Sequence, residues 1–149
     1  MYRKGSAALI INQKQEFLLV NLESFEERYF TVAGGGQDIG ESLLETAYRE
    51  MKEELNLSKS DLEYVGECKV PVVFYFRKPI TRDGVEYIGS EKYYLGFRFV
   101  GDGKVIHAND GEVRSYKWVT VDELDKYLLF ESQLEDTLEK IREIFPEVK

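Results

Sequence analysis

Three glutamates crowd one short run of this chain, Arg49-Glu50-Met51-Lys52-Glu53-Glu54-Leu55. From Ser42 to Leu55 the residues are good helix formers, with no proline and no interior glycine, so the stretch reads as helix. Positions three and four apart are neighbours on a helix surface, which puts Glu50, Glu53 and Glu54 on one face. Like charges that close repel and raise one another's pKa. A sequence that stacks them either leaves them fully solvated or uses them to hold a cation. The fitting ion is hard and divalent: Mg2+, with Mn2+ as a substitute, takes oxygen ligands and bridges carboxylates to phosphates. Arg49, one turn before Glu53, neutralises and orients part of the cluster. Glu41 lies near the helix start, where the macrodipole favours an anion, and can fold back towards Arg49.

The spacing extends beyond the helix. Gly35, five residues, Glu41, seven residues, Arg49-Glu50-Met51, one residue, Glu53-Glu54, one residue, Asn56-Leu57 resembles the Nudix box, G-x5-E-x7-R-E-U-x-E-E-x-G-U with U apolar. Six fixed letters at ordinary usage coincide by chance on the order of once in ten million windows. One position departs from the pattern: Asn56 stands where the family has its late glycine. Asparagine is the next most tolerant type in the left-handed conformation that closes a helix, so the expected cost is small. The resemblance implies an α/β fold, an α/β/α sandwich with a mixed sheet between helices. It also implies that Glu50, Glu53 and Glu54 ligate Mg2+, with the Gly35 carbonyl as a weaker ligand. Gly35, Glu41 and Arg49 complete the box as its structural members.

The length of 149 residues fits one domain, residues 1–149, with a real core. A hydrophobic share of 43% with 13% aromatic residues is that of a globular chain. No apolar run approaches the roughly 18 residues of a membrane span, and no signal-peptide pattern opens the chain, so no membrane partner is expected. The single Cys68 rules out an internal disulfide and a thiolate cluster, which makes a reducing cytoplasm the natural setting. One histidine, His107, leaves no histidine metal site, and its neighbours Ala108-Asn109-Asp110-Gly111 read as a turn. A net charge of −8 argues against broad nucleic-acid binding, but not against a small polyanion whose charge bound cations offset.

In chain order, Ser6–Ile11 and Phe17–Leu22 read as strands of a hairpin around Asn12-Gln13-Lys14-Gln15. Tyr29–Ala33 is strand-like and delivers the chain into a loop of three glycines, Gly34 to Gly36. Leu62–Phe76 carries β-branched and aromatic residues, with Pro71 marking an edge, a bulge or a break. Thr81 to Gly84 reads as a turn, Lys92–Val100 as a strand, and Gly101 to Lys104 as another turn. Ser115–Val119 is a further strand, followed by Thr120 as N-cap of a helix over Val121–Leu129. From Gln133 to Phe145, Leu134, Leu138, Ile141 and Phe145 recur at helical spacing and form a core stripe.

The acidic face suits hydrolysis of a phosphoanhydride. Mg2+ neutralises the oxygens that repel a nucleophile and lowers the pKa of a bound water. Catalytic candidates are Glu53, Glu54 and Arg49, with Glu112 as general base and metal ligand. Nudix enzymes take the base either from the box or from a later loop, and Glu112 before Trp118 resembles the second arrangement; Asp110 is its neighbouring alternative. Arg3, Arg28 and Lys52 are candidate phosphate contacts. Tyr93, Tyr75 and Phe130 could stack on a base, though aromatics in such strands usually belong to the core.

Within the family the chain is most similar to the RNA pyrophosphohydrolase and dinucleoside polyphosphate hydrolase branch. Tyr2-Arg3 at the first strand, Gly89 to Tyr94, and Glu112 six residues before Trp118 carry that likeness. Two departures are Asn21-Leu22 followed by acids, where that branch has a basic pair, and Ala33 in place of proline. The expectation is a hydrolase of a nucleoside polyphosphate, with a small nucleotide as substrate. An alternative is a 5′-pyrophosphohydrolase of triphosphorylated RNA, and a third is a non-catalytic nucleotide sensor. Many Nudix proteins are homodimers, but no interface is legible in this chain.

Overall fold

In the computed structural model, which describes residues 1–148, the longest strand is the spine. The elements are β1 (Tyr2–Ile11), β2 (Glu16–Leu22), β3 (Ala33–Gly36), α1 (Leu43–Leu55), β4 (Leu62–Glu67), β5 (Val72–Arg82), β6 (Val85–Phe99), β7 (Val113–Thr120) and α2 (Gln133–Ile144). The first part of β6 pairs antiparallel with β5, and its later part lies between β1, parallel, and β4, antiparallel. The seven strands form one mixed sheet ordered β4-β6-β1-β2-β7, with β3 added to β1 and β5 to β6.

Strand alternation divides the core in two. Ala7, Leu9 and Ile11 of β1 meet Ile141 and Ile144 of α2 and Phe145 just beyond it. Ala8 and Ile10 point the other way and meet Ala47, Met51 and Leu55 of α1. The α/β/α sandwich is therefore present, and the helical stripe of α2 packs as expected, with Leu134 and Leu138 at its margin.

Two elements, the third strand and the segment after Thr120, differ from the sequence reading. The third strand does not cover Tyr29–Ala33, where only Thr31 bridges to Val20. It begins at Ala33 and includes the glycines, which pair with β1 as Gly5–Gly36, Ser6–Gly35 and Ala7–Gly34. Backbones lie so close here that a Cβ on Gly34 would strike the Ser6 carbonyl oxygen. Of the alternatives at Pro71, the break is the one found, and the expected turn is the β5–β6 hairpin on Asp83-Gly84, both at positive φ, the pairing such a tight turn prefers. Val121–Leu129 forms a 3-10 turn over Val121–Lys126, and the Thr120 side chain makes no capping bond. Among the described residues no helix is long and apolar enough to cross a membrane.

Candidate active site

The acidic helix is closed at both ends by its own residues. Ser42 caps the start, its Oγ accepting the Glu45 N–H at 3.0 Å while the Glu45 carboxylate accepts the Ser42 N–H at 2.9 Å, a reciprocal capping box. Asn56 ends the helix at φ 61° and ψ 24°, the left-handed geometry expected from its place in the box. Ala47, Met51 and Leu55 are fully buried on the inner stripe. Glu50 and Glu54, each three residues beyond an inner apolar position, are carried inward with them.

That placement separates the three glutamates that the helical wheel grouped together. Glu54 is 4% exposed and Glu50 is largely covered, whereas the Glu53 side chain is 48% exposed. Glu54 accepts the Gly34 N–H at 3.0 Å, so the glycine strand holds one ligand candidate through its backbone. Burial pushes the Glu54 carboxyl up to about 8 against the Gly34 hydrogen bond, and the charges of Glu50 and Glu112 push in the same direction. Burial also raises Glu50, although Arg49 opposes the shift.

Arg49 is the brace of the cluster. Its Nε and Nη2 donate to the two Glu41 oxygens at 2.6 and 3.0 Å, its Nη2 also to the Gly36 carbonyl at 2.9 Å, and its Nη1 to Glu50 at 2.9 Å. Asp38 and Glu53 lie at 3.4 and 3.5 Å. The Arg49 hydrogen bonds hold the Glu41 carboxyl down at about 2. Gly35 fits against Glu50, because a Cβ there would overlap the Glu50 carboxylate, and Gly36 does the same for the Arg3 guanidinium. Thus Arg3 lies against the glycine strand, beside the Arg49 contact.

Glu112 reaches the cluster from a different part of the chain. Its loop is tied to the last turn of α1, with His107 N–H donating to the Leu55 carbonyl at 3.0 Å and Asn109 N–H to the Glu54 carbonyl at 2.9 Å. The Asn109 side-chain amide donates to the Glu112 carboxylate at 3.1 Å. A cleft of about 280 Å³ is lined by Leu22, Ser24, Gly34, Glu50, Glu54, Gly111 and Glu112. Asp110 and Glu53 do not line it. His107 is an exposed loop residue, as its neighbours suggested.

Do these side chains fit a divalent ion? Every donor is a hard oxygen, and the buried Glu54 pays for its charge in the absence of a compensating cation. Among the described residues no three acidic, histidine or cysteine side chains are gathered closely enough to hold a metal ion by themselves. Glu50 and Glu54, with Glu112 opposite, fit an open site completed by ligand and water oxygens.

The remaining candidates lie outside the acidic cleft. Lys52 turns along the helix to Asn56 Oδ1 at 3.2 Å and Ser58 Oγ at 3.4 Å. Arg28 lines a different cavity with Arg114. Tyr93 packs at the border of both core clusters. Tyr75 is 74% exposed and edge-on to Tyr2. Phe130 stacks on Tyr29 at 4.6 Å and meets Phe25 edge-on.

Two features escaped the sequence reading. Lys92, at the head of the expected strand, has burial lowering its pKa while the charge of Glu54 opposes the shift. Its ammonium stands 5.7 Å from the Phe74 ring. A cavity of about 290 Å³ opens beside it, with Phe25, Phe74, Phe76 and Phe130 among its walls. Alternation along β6 puts Lys92 in phase with Ser90 and Tyr94, which line the same cavity, so the period of two carried the signal. The aromatic walls come from three distant segments, and of them only Phe130 was a candidate from the sequence.

The model of the NUDIX domain family matches residues 1–141. The RNA pyrophosphohydrolase of Pelagibacter ubique is 25% identical over 150 residues, covering 95% of this chain and 92% of that one. Its counterpart in Nitratiruptor is 28% identical over 134 residues, covering 87% and 84%. In fold, the chain is similar to the Ap4A hydrolase of C. elegans, with a TM-score of 0.67, 19% identity and coverage of 96% and 98%. The E. coli dihydroneopterin triphosphate pyrophosphohydrolase gives a TM-score of 0.70 at 17% identity, covering 93% and 96%. The matched range contains the whole box, from Gly35 to Leu57, and this chain belongs to the NUDIX domain family as one of its hydrolases.

Proposed function

We propose that this hydrolase cleaves a phosphoanhydride bond of a nucleoside polyphosphate, a nucleoside triphosphate or a dinucleoside polyphosphate, with Mg2+ held by Glu50, Glu54 and Glu112. The carrying observation is the cleft in which two inward glutamates of α1 face Glu112, with Lys92 and an aromatic cavity alongside. When bound, the ion neutralises phosphate oxygens and makes water more acidic. Glu53, half-exposed outside the cleft, would be at most a peripheral ligand.

Glu112 accepts a proton from the attacking water, with Asn109 fixing one of its oxygens. Water adds across the P–O–P link: its oxygen goes to the attacked phosphorus and the bridging oxygen leaves with the other phosphate. Arg49 is a positioning residue, because it fixes Glu50 and shares its charge among four carboxylates. Lys92 offers its ammonium to a phosphate between the base and the reacting group. Phe25, Phe74, Phe76 and Phe130 receive the base, where stacking contributes about 1–3 kcal/mol per base.

A second reading, triphosphorylated RNA as substrate, is favoured by the names of the curated relatives. A sensor without catalysis is disfavoured, since binding alone gives no reason to bury so repulsive a pair. The test is turnover with Mg2+ of nucleoside triphosphates, diadenosine polyphosphates and 5′-triphosphorylated RNA. Glu54→Gln should lower every productive rate by at least about a hundredfold, and equal turnover would reject its role. Glu112→Gln should lower kcat with KM nearly constant, while unchanged kcat would return the base to the box.

A further inference from the structure

On the side of the sheet that faces α2, a cavity of about 460 Å³ gathers four cationic side chains. Arg28, Arg114, Lys117 and Lys126 line it, with Glu27 as the single acid on its wall. The cations come from the loop after β2, from β7 and from the 3-10 turn that follows, so no run of basic residues announces them.

The floor is built to hold one of these charges in place. Asn21 is fully buried, donates to the carbonyls of Glu26 at 2.9 Å and Tyr29 at 2.6 Å, and accepts from Arg114 Nη1 with its own oxygen. Arg114 also donates to the Phe25 carbonyl at 3.1 Å and the Glu23 carbonyl at 3.3 Å. All three acceptors are neutral. Among the described residues neither Arg114 nor Lys117 has a carboxylate within ion-pair distance. Lys117 instead stands 5.4 Å from the Tyr127 ring. Lys126 is paired with Glu123 at 2.8 Å, and Arg28 reaches Glu26 only at 3.9 Å.

Two of these cations remain unneutralised around a concave wall, and a fixed guanidinium is suited to bidentate contact with phosphate oxygens. We propose that this cavity is a second, metal-independent anion site that binds phosphate groups. The phosphate belongs either to a free oligophosphate or to the phosphodiester backbone of an RNA strand. The loop from Leu22 to Phe30 forms one wall of this cavity and contributes Leu22 and Ser24 to the acidic cleft. A strand whose 5′ end occupies the cleft thus has a neighbouring place for its later phosphates.

The test uses the full chain in EDTA, where the acidic cleft has no cation to attract an anion. Two probes are titrated by calorimetry: inorganic pyrophosphate, and a single-stranded RNA oligomer with a 5′ hydroxyl. Binding of the first alone identifies a free oligophosphate, and binding of the second identifies the strand. For the strand, log K should fall with log salt at about −0.7 per phosphate engaged. Lys117→Glu should weaken either interaction on the order of tenfold or more, and Lys117→Arg should retain it. Glu54→Gln should leave it unchanged while abolishing turnover, and Lys117→Glu should keep Mg2+-dependent turnover of a free nucleotide. Absence of binding by both probes, or equal binding by Lys117→Glu, overturns the site without touching the assignment of the cleft.

Discussion

Replacing Glu54 by glutamine separates stability from catalysis. The wild-type carboxyl moves from an ordinary value of 4.5 in the unfolded chain to about 8 in the folded one. Between those values the native state keeps a proton that the unfolded state releases, so stability falls as pH rises from 4.5 to 8. Below 4.5 both states are protonated and nothing is lost. At about 1.4 kcal/mol per pH unit, the full loss is roughly 5 kcal/mol in metal-free buffer, an upper bound for one buried group. Glutamine is nearly the same shape, keeps an oxygen for the Gly34 N–H and does not titrate. Urea denaturation in EDTA should therefore show Glu54→Gln close to wild type near pH 4.5 and more stable by several kcal/mol near pH 8. Adding Mg2+ at a hundredfold excess over its Kd should recover about 2.7 kcal/mol for wild type and much less for the variant. Parallel stability curves for the two proteins in EDTA from pH 4.5 to 8 would refute the reasoning.

Other outcomes follow from the same geometry. Glu41→Gln removes a carboxylate held at about 2; its stabilisation is present above 4.5 and lost as pH falls through 2, so the variant should be less stable at pH 7 with the difference shrinking in acid. Acid titration by circular dichroism checks this. Asn56→Gly should change stability by less than about 1 kcal/mol, because the residue already has φ 61°, and thermal melts would register a larger loss. Gly34→Ala should unfold the sheet edge, since its Cβ meets backbone, while Gly35→Ala meets only the Glu50 carboxylate and should remain folded with reduced Mg2+ affinity; melts and calorimetry together distinguish them.

The box was legible because its residues are local: helix spacing, caps and the left-handed Asn56 all depend on near neighbours in the chain. Its finer division was not, since a wheel shows which residues share a side but not where the sheet will lie. Glu53 and Glu54 are adjacent, yet only Glu54 is carried inward beside Leu55. The glycine run read as a loop because glycine weakens a strand by local preference. Contact with Gly5, Ser6 and Ala7 overrides that preference, and at Gly34 only bare backbone fits. The basic cavity and the aromatic one are assembled from separated segments, and no local pattern encodes such a meeting.

The acidic helix is fastened to β3 and to the 106–113 loop largely through main-chain groups: the Gly34 amide, the Gly36 carbonyl, and the carbonyls of Glu54 and Leu55. The walls of the aromatic cavity, by contrast, are side chains of the 22–31 loop, β5 and the residues around Phe130. Exchange of those walls leaves the fastening untouched. The scaffold can therefore change the molecules it accepts by altering peripheral side chains, while the part that breaks the bond passes through such change intact.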